Sequence, residues 1–180
     1  LPFAQSDVMP DQILASTTAI PITLVNQRPL DDTPFIAPYV PVSPDVADRA
    51  IAFARLRATD TLVDLGCGDA RILRQALLGP TPPQQAVGVE LDPYLAEHNR
   101  VEPALRTALA TGRCVFYEQD MFTVDLVALK ATVLILYLLP AGLAKLRPQL
   151  ARWLATPSAS PTEPAKRVIS IIYAVPDWTP

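Results

Sequence analysis

Residues 62–71 read Leu-Val-Asp-Leu-Gly-Cys-Gly-Asp-Ala-Arg, and this stretch decides the fold. Its apolar run up to Leu65 predicts a buried strand, Gly66 and Gly68 predict a tight turn, and the pattern over 72–78 predicts a helix that leaves the turn. Glycines let the backbone of such a turn approach a ligand closely. A strand, a bare turn and a helix in this order are typical of a cofactor site.

Charge around the turn limits which cofactor fits. A dinucleotide site needs Gly-x-Gly-x-x-Gly, but Arg71 stands at the third glycine position. The phosphate-binding pattern Gly-x-x-x-x-Gly-Lys-Ser/Thr does not occur, and Asp64 and Asp69 would repel phosphate at short range. The turn therefore suits a cationic ligand without phosphate, and S-adenosylmethionine has this character through its ammonium and sulfonium groups.

Acidic residues also follow two later apolar strands. The run 86–91 places Glu90 about 20 residues after the glycine turn, where a carboxylate can accept hydrogen bonds from both ribose hydroxyls. The run 114–118 leads to Asp120, which could accept a hydrogen bond from the adenine amino group. Three strand ends thus present three acids.

These motifs resemble those of class I S-adenosylmethionine-dependent methyltransferases over about residues 35–180. Four further segments make the resemblance more specific. They are Tyr39-Val-Pro-Val-Ser-Pro, Glu90-Leu-Asp-Pro, Tyr137-Leu-Leu-Pro and Pro176-Asp-Trp-Thr-Pro. In this order they resemble the mitochondrial protein-lysine methyltransferases that modify the adenine nucleotide translocase and the ATP synthase c-subunit, and their prokaryotic relatives. Ala70 departs from the glycine usual in that family, and alanine is small enough that we expect little loss.

The resemblance implies S-adenosyl-L-methionine as cofactor, a protein lysine as methyl acceptor and no metal. The cofactor-binding residues it implies are Tyr39, Asp64, Gly66, Cys67, Gly68, Asp69, Glu90, Leu91, Asp120 and Met121. Tyr137 and Pro140 are the residues expected to shape the methyl-transfer channel, at the place where many amine methyltransferases carry an Asn/Asp-Pro-Pro-Tyr-like loop. Tyr137 could instead cap an edge of the core, and Tyr39 could pack on a turn rather than cover the cofactor.

The order of the elements predicts an α/β fold. Strands over 62–65, 86–91, 114–118, 131–138 and 167–175 alternate with helices, which is the pattern of a doubly wound, mostly parallel sheet. Ser43 and Pro44 predict the start of an earlier helix, whose apolar face includes Phe53. Residues 1–34 read as a proline-rich extended leader and residues 35–180 as the methyltransferase domain.

The last predicted strand raises a question about completeness. Methyltransferase folds normally add a closing hairpin after the fifth strand, and none follows in this sequence. We therefore expect a C-terminally incomplete domain, in which the apolar strand 167–175 leaves an open edge. Pro103 and Pro148 are expected to kink or restart the helices that contain them.

Composition narrows the class of protein. The chain has 180 residues, 50% of them hydrophobic and 18% charged, with a net charge of −3. This favours one globular domain and gives no basic surface for nucleic acid. Two cysteines make neither a disulfide framework nor a metal site. The apolar stretches 13–25 and 131–139 are too short for a membrane span. We expect an intracellular protein, mitochondrial by resemblance only, and the oligomeric state stays open.

Two other functions remain compatible with the sequence. One is a methyltransferase for a small molecule, and the other is a module that binds S-adenosylmethionine without turnover. A hydrolase is disfavoured because no Gly-x-Ser-x-Gly segment occurs and the only histidine, His98, has no motif around it.

Overall fold

A computed structural model describes residues 39–157 and 164–178 of the chain. The predicted leader over 1–34 lies outside the described residues. In chain order the elements are α1 (Pro44–Ala54), β1 (Thr61–Leu65), α2 (Arg71–Leu78), β2 (Gln85–Glu90), α3 (Pro93–Arg100), α4 (Arg106–Ala110), β3 (Cys114–Glu118), β4 (Val133–Leu136), α5 (Pro140–Ala155) and β5 (Arg167–Ser170).

Five strands form one sheet in the order β3-β2-β1-β4-β5, and every neighbouring pair is parallel. The order runs outward from β1 in both directions, so helices cross on opposite faces of the sheet. This confirms the predicted doubly wound α/β fold. All strand carboxyl ends meet at one edge, which is where the glycine turn lies.

The central strands are mostly apolar because both faces of the sheet are covered. All five residues of β1 and all four of β4 are buried. One face packs against α1, α2 and α4 through residues such as Leu62 and Ile135. The other packs against α5 through residues such as Val63 and Leu134. The sheet therefore separates two apolar clusters.

Asp60, just before β1, ties the amino ends of three strands together. Its side chain is fully buried and accepts a hydrogen bond from the Thr132 hydroxyl at 2.8 Å. It also accepts one from the Arg57 amide at 2.7 Å and forms an ion pair with Arg167 at the start of β5. A buried carboxylate needs such partners, so this cluster favours one register of β1, β4 and β5.

Several predicted details were wrong. β5 ends at Ser170 rather than at residue 175, and Phe53 is 77% exposed while Ala47 and other alanines form the buried face of α1. Ser43 occupies the N-cap position of α1, but its side chain makes no capping hydrogen bond. Pro148 lies within α5 without interrupting it. Pro103 starts a new 3-10 turn after α3, as predicted.

Gly88, in the middle of β2, is required by packing. A Cβ atom at this position would lie 2.5 Å from Phe116 Cδ1 and 2.8 Å from the Cys67 sulfur. Both neighbours are buried, so neither has free space into which to move. The absence of a side chain at residue 88 lets the Phe116 ring and the Cys67 thiol share this space beneath the glycine turn.

We expect Gly88→Ala to lower the free energy of unfolding by about 1–3 kcal/mol, the usual cost of overpacking a core. This outweighs the gain of about 0.5–1 kcal/mol that alanine normally has over glycine inside a strand. Urea denaturation measures the change. Adding Phe116→Leu to Gly88→Ala should cost less than the sum of the two single changes, because the smaller side chain leaves room for the new methyl group. Wild-type stability in Gly88→Ala would contradict this account.

Candidate active site

Acidic residues converge at the carboxyl edge of the sheet. Asp64 lies in β1, Glu90 ends β2, and Asp120 follows β3 by two residues. The register pairs Asp64 with Gly88, so Glu90 lies two residues further toward the carboxyl edge than Asp64. Ligands of open parallel sheets bind outside this edge, between strands whose connections run in opposite directions. Here that place is between the carboxyl ends of β1 and β4.

The turn after β1 follows a left-handed path at alternate residues. φ is +78° at Gly66, +54° at Gly68 and +57° at Ala70, which occupies the N-cap position of α2. The amides of Gly66 and Cys67 both donate to the Val89 carbonyl, at 2.8 and 3.0 Å. L-residues adopt this backbone region at a cost of about 1–2 kcal/mol, and glycine adopts it freely. The turn thus explains the two glycines, while Ala70 bears some strain.

Glu90 joins the glycine turn to the end of β2. One carboxylate oxygen accepts the Gly68 amide at 2.8 Å, and the other accepts the amides of Leu91 and Asp92 at 2.9 Å each. Three N–H donors fix the orientation of this carboxylate. Three of its four lone pairs are used, so Oε2, which accepts only the Gly68 amide, can still accept one hydrogen bond from a ligand.

Asp64 is 2% exposed, and no described residue donates a hydrogen bond to its carboxyl group. Burial, followed by the charges of Glu90 and Asp69, raises the pKa of Asp64 from 3.8 to about 8. An acid in this position is electrostatically unsatisfied. A cation at the turn would supply the missing partner.

Asp69 is held by Arg71. The Arg71 guanidinium donates to both carboxylate oxygens of Asp69, at 2.6 to 3.1 Å, and reaches the Val42 carbonyl at 2.5 Å. Burial acts to raise the pKa of Asp69, but the hydrogen bonds and charge of Arg71 outweigh it, so this pKa lies below its ordinary value. The pair connects the turn to the segment that precedes α1.

Tyr39 lies at the start of that segment, and its ring covers Gly68. A Cβ atom at residue 68 would overlap the ring, so the glycine is required for this contact as well as for its φ. Burial, followed by the charge of Asp69, raises the pKa of Tyr39 to about 12. The ring therefore lies over the glycine turn.

Apolar side chains flank the other side of the turn. A Cβ atom at Gly66 would lie 3.5 Å from Leu138 Cδ2 and 3.9 Å from the Met121 sulfur. Asp120 caps the 3-10 turn that begins at Met121, and its Oδ1 accepts the Phe122 amide at 3.0 Å. The predicted residues Asp120 and Met121 thus lie beside the glycine turn.

Two predicted cofactor residues, Cys67 and Leu91, present no free polar side chain to this site. The Cys67 side chain is 6% exposed and points into the core, where burial raises its pKa well above the ordinary value. The Leu91 amide is already used by Glu90. Asp92 is the N-cap of α3, because its side chain accepts the Tyr94 amide at 2.8 Å.

The loop after β4 carries Tyr137 and Pro140. The Tyr137 side chain is half-buried and packs against the cluster beneath α1 and α2, while Pro140 is the exposed first residue of α5. No described residue donates a hydrogen bond to the backbone carbonyl of Tyr137 or Leu138. Among the described residues these two carbonyls remain free acceptors, and Pro140 has no N–H with which to occupy them.

Sequence reasoning missed three residues at this edge. Asn99 is fully buried and donates from Nδ2 to the Gly68 carbonyl at 2.7 Å, which braces the turn from α3. Arg71 was considered only as a departure from a dinucleotide pattern, and Leu138 was not considered at all. Only Arg71 had a usable signal, since it stands two residues after an acid at the start of a helix.

The rest of the described chain offers no competing site of the same kind. A cavity of about 680 Å³ lies at the amino edge of the sheet, lined by residues that include Thr61, Gln85 and Lys130. Ligands of such sheets bind at the other edge. Within 39–157 and 164–178, no three potential metal-ligating side chains cluster, and no helix is long and apolar enough to cross a bilayer.

Comparisons with known proteins agree with this geometry. Over 150 residues the chain is 31% identical to a protein-lysine N-methyltransferase of Saccharolobus islandicus, covering 79% of this chain and 81% of that protein. It is also similar to a solved structure described as an RNA methyltransferase from Salinibacter ruber in complex with S-adenosyl-L-homocysteine. That match has 38% identity and a TM-score of 0.55, and it covers 63% of this chain and 70% of the other.

The sequence profile of the ANTKMT methyltransferase domain matches residues 64–180, from the acid of β1 to the last residue. This match begins at the glycine turn and includes Glu90, Asp120 and the loop after β4. The predicted resemblance is confirmed: the chain belongs to the ANTKMT methyltransferase domain family, within the class I S-adenosylmethionine-dependent methyltransferases.

Proposed function

We propose that this protein is an S-adenosyl-L-methionine-dependent protein-lysine N-methyltransferase. The observation that carries the proposal is the buried carboxyl group of Asp64, which accepts no hydrogen bond from a described residue and lies beside a glycine turn that Glu90 anchors through the Gly68 amide. The family supplies methyl transfer as the reaction. The relative from Saccharolobus islandicus, a protein-lysine N-methyltransferase by name, supports lysine as the acceptor.

The residues present fit the cofactor. Glu90 would accept a hydrogen bond from a ribose hydroxyl through Oε2, and Asp64 would supply negative charge to the cationic methionine part. Asp120 would accept from the adenine amino group, with Met121 and Leu138 as apolar walls. Gly66, Cys67, Gly68 and Leu91 contribute backbone, which leaves space for the ligand.

Asp69 has a different proposed role from Asp64. Its charge is matched by Arg71, which also holds the Val42 carbonyl. Asp69 therefore adds little net charge to the cation site, and instead fixes the segment that carries Tyr39. We assign Tyr39 to covering the cofactor, and Arg71 to keeping it there.

The acceptor side must bring a neutral amine to the cofactor, which supplies an electrophilic methyl group on its sulfonium when bound. A lysine has an ordinary pKa near 10.4, so only on the order of one in a thousand is neutral near pH 7. Burial among the Leu138, Met121 and Tyr39 side chains would lower the pKa of an incoming lysine.

The loop after β4 would align that amine. The carbonyls of Tyr137 and Leu138 can accept its hydrogen bonds, and Pro140 holds the loop without competing for them. Alignment of nucleophile and methyl group is sufficient for large rate gains in such a displacement. A side-chain base is not required by this scheme, because water can receive the proton before the amine enters.

RNA is the main competing acceptor, because the relative from Salinibacter ruber is described as an RNA methyltransferase. The net charge of −3 and the acids at the reaction edge disfavour a polyanion. The same cofactor site would also serve a small-molecule acceptor, or cofactor binding without turnover. A mitochondrial location, which only the resemblance implied, stays a prediction.

Glu90→Gln is expected to weaken cofactor binding at least tenfold, about 1.4 kcal/mol, when measured by calorimetry with S-adenosyl-L-homocysteine. The amide can accept at only one end, so the acceptor is lost either at Oε2, which serves the Gly68 amide and the ribose, or at Oε1, which serves the Leu91 and Asp92 amides. Glu118→Gln is the matched control, because Glu118 ends the neighbouring strand β3 in register with Glu90 and its side chain is 47% exposed. Equal affinities for both variants would refute the assignment of Glu90.

The raised pKa of Asp64 predicts a pH-dependent stability. Between about pH 4 and pH 8 the folded chain keeps a proton that the unfolded chain releases, so this group lowers the free energy of unfolding as pH rises. We expect Asp64→Asn to gain stability relative to wild type over that window, by up to about 1.4 kcal/mol per pH unit. Urea denaturation across pH measures it, with the exposed Asp48→Asn as control. Parallel curves for wild type and Asp64→Asn would contradict the buried, unsatisfied acid.

The acceptor is tested by labelling. Wild-type protein is incubated with methyl-tritiated S-adenosylmethionine, cell-extract protein and total RNA, and label is expected in methyl-lysine after acid hydrolysis of the protein fraction. Glu90→Gln under the same conditions should transfer far less. Label that ribonuclease releases would favour RNA as the acceptor, label in soluble metabolites would favour a small molecule, and binding without any transfer would favour an inactive module.

A further inference from the structure

The end of β5 is a tight turn centred on Ile172. The Tyr173 amide donates to the Ile171 carbonyl at 2.9 Å, and the Ser170 hydroxyl donates to the Tyr173 carbonyl at 2.6 Å. φ at Ile172 is +70°, which makes this a γ-turn of the rare left-handed kind. The turn stops the strand that the sequence predicted to continue to residue 175.

Ile172 is an unusual residue for this backbone. A β-branched side chain with positive φ is a conformational outlier, and such strain is retained mainly where structure around it compels it or function uses it. The side chain is 70% exposed, so core packing does not compensate for the strain. Asparagine or glycine would adopt the same turn more easily.

The structure around the turn holds it firmly. Before it, the Ile171 amide donates to the Leu136 carbonyl of β4 at 2.9 Å. After it, Val175 is 5% exposed within the cluster under α5, and Arg147 of α5 pairs with Asp177. The chain is therefore anchored on both sides of Ile172.

The turn lies beside the proposed acceptor loop. β4 and β5 are paired up to Leu136 and Ser170, so residues 137–140 and 171–173 leave adjacent strand ends. Leu139 is 47% exposed and Tyr173 43% exposed. Neither segment contains a charged residue. Leu139, Ile172 and Tyr173 thus place exposed apolar side chains on two adjacent strand ends, and we refer to them together as a patch.

We propose that this patch, the apolar platform, receives an apolar side chain close in sequence to the target lysine. The inference rests on the proposed protein-lysine function, because a lysine that enters beside Tyr137 and Leu138 leaves its neighbouring residues over the adjacent strand end. Burial of an apolar side chain on a preformed surface gives affinity with little loss of conformational entropy. The strain at Ile172 is then part of substrate recognition.

The test compares two synthetic peptides with one lysine each, flanked on both sides by leucine in one and by serine in the other. Methyl-lysine formation is followed with wild type and with Ile172→Asn, which keeps the left-handed turn but removes the apolar surface. Wild type should prefer the leucine peptide at least fivefold in kcat/KM. Ile172→Asn should lose most of that preference through a higher KM for the leucine peptide, with an unchanged affinity for S-adenosyl-L-homocysteine.

The urea midpoint of Ile172→Asn gives a second readout. If Ile172 served only to stabilise the fold, its replacement would lower this midpoint, whereas the proposal predicts a rise. Ile172→Asn should denature at a higher urea concentration than wild type, because asparagine tolerates positive φ and the replaced side chain is exposed. Phe53→Gln is the control, since Phe53 is as exposed as Ile172 but lies near the end of α1 and should not affect the peptide preference.

Each possible outcome either supports or overturns the proposal. Equal rates on the two peptides with wild type overturn the platform and leave the lysine assignment intact, as does an Ile172→Asn protein that keeps the preference. A lower urea midpoint in Ile172→Asn shows that Ile172 supports the fold, and overturns the role of strain. Absence of methyl-lysine on both peptides with wild type, while cofactor binding persists, overturns the proposed function and this inference together.

Discussion

The hydrogen bonds from three backbone amides to the Glu90 carboxylate are the interaction on which the rest of the site depends. They join the turn after β1 to the first residues after β2, so two strand ends are held as one unit. The left-handed residues Gly66, Gly68 and Ala70 are strained or entropically costly, and the turn needs an external anchor to stay in this path. Asn99 supplies a second anchor by binding the Gly68 carbonyl from α3.

The acids at this edge have different proposed roles because their hydrogen-bonding and charged partners differ. Glu90 is satisfied by amides, Asp69 by the Arg71 guanidinium, and Asp64 by no described group. The sequence alone does not distinguish these three carboxylates. In the structure, only the Asp64 carboxyl group has no hydrogen-bonding or charged partner among the described residues. This division also explains how acids can crowd together: neutralisation at Asp69 and protonation at Asp64 reduce their mutual repulsion when no ligand is bound.

Sequence patterns predicted the fold and the acids of the site because both follow from local rules. Buried parallel strands are continuous apolar runs, and their carboxyl ends share one edge. The sequence therefore predicted that Asp64, Glu90 and Asp120 lie at the same edge of the sheet. Contacts between distant segments left no such signal. In the sequence, Asn99 has the pattern of an exposed residue of a helix. The end of β5 at Ser170 depends on a turn that contains neither glycine nor proline, the residues by which such turns are usually predicted.

The proposed cofactor side and the proposed acceptor side of the site differ in which residues take positive φ. On the cofactor side, positive φ is taken mostly by glycine, so the backbone approaches the ligand with little strain beyond that at Ala70. On the acceptor side, positive φ is taken by Ile172, where glycine would relieve the strain but also remove the side chain. Selection for fold alone would favour asparagine or glycine there, since the isoleucine is exposed and packs into neither cluster. A strained residue that keeps its apolar surface beside the reaction edge is therefore better explained by what it contacts in the complex than by what it contacts in the chain.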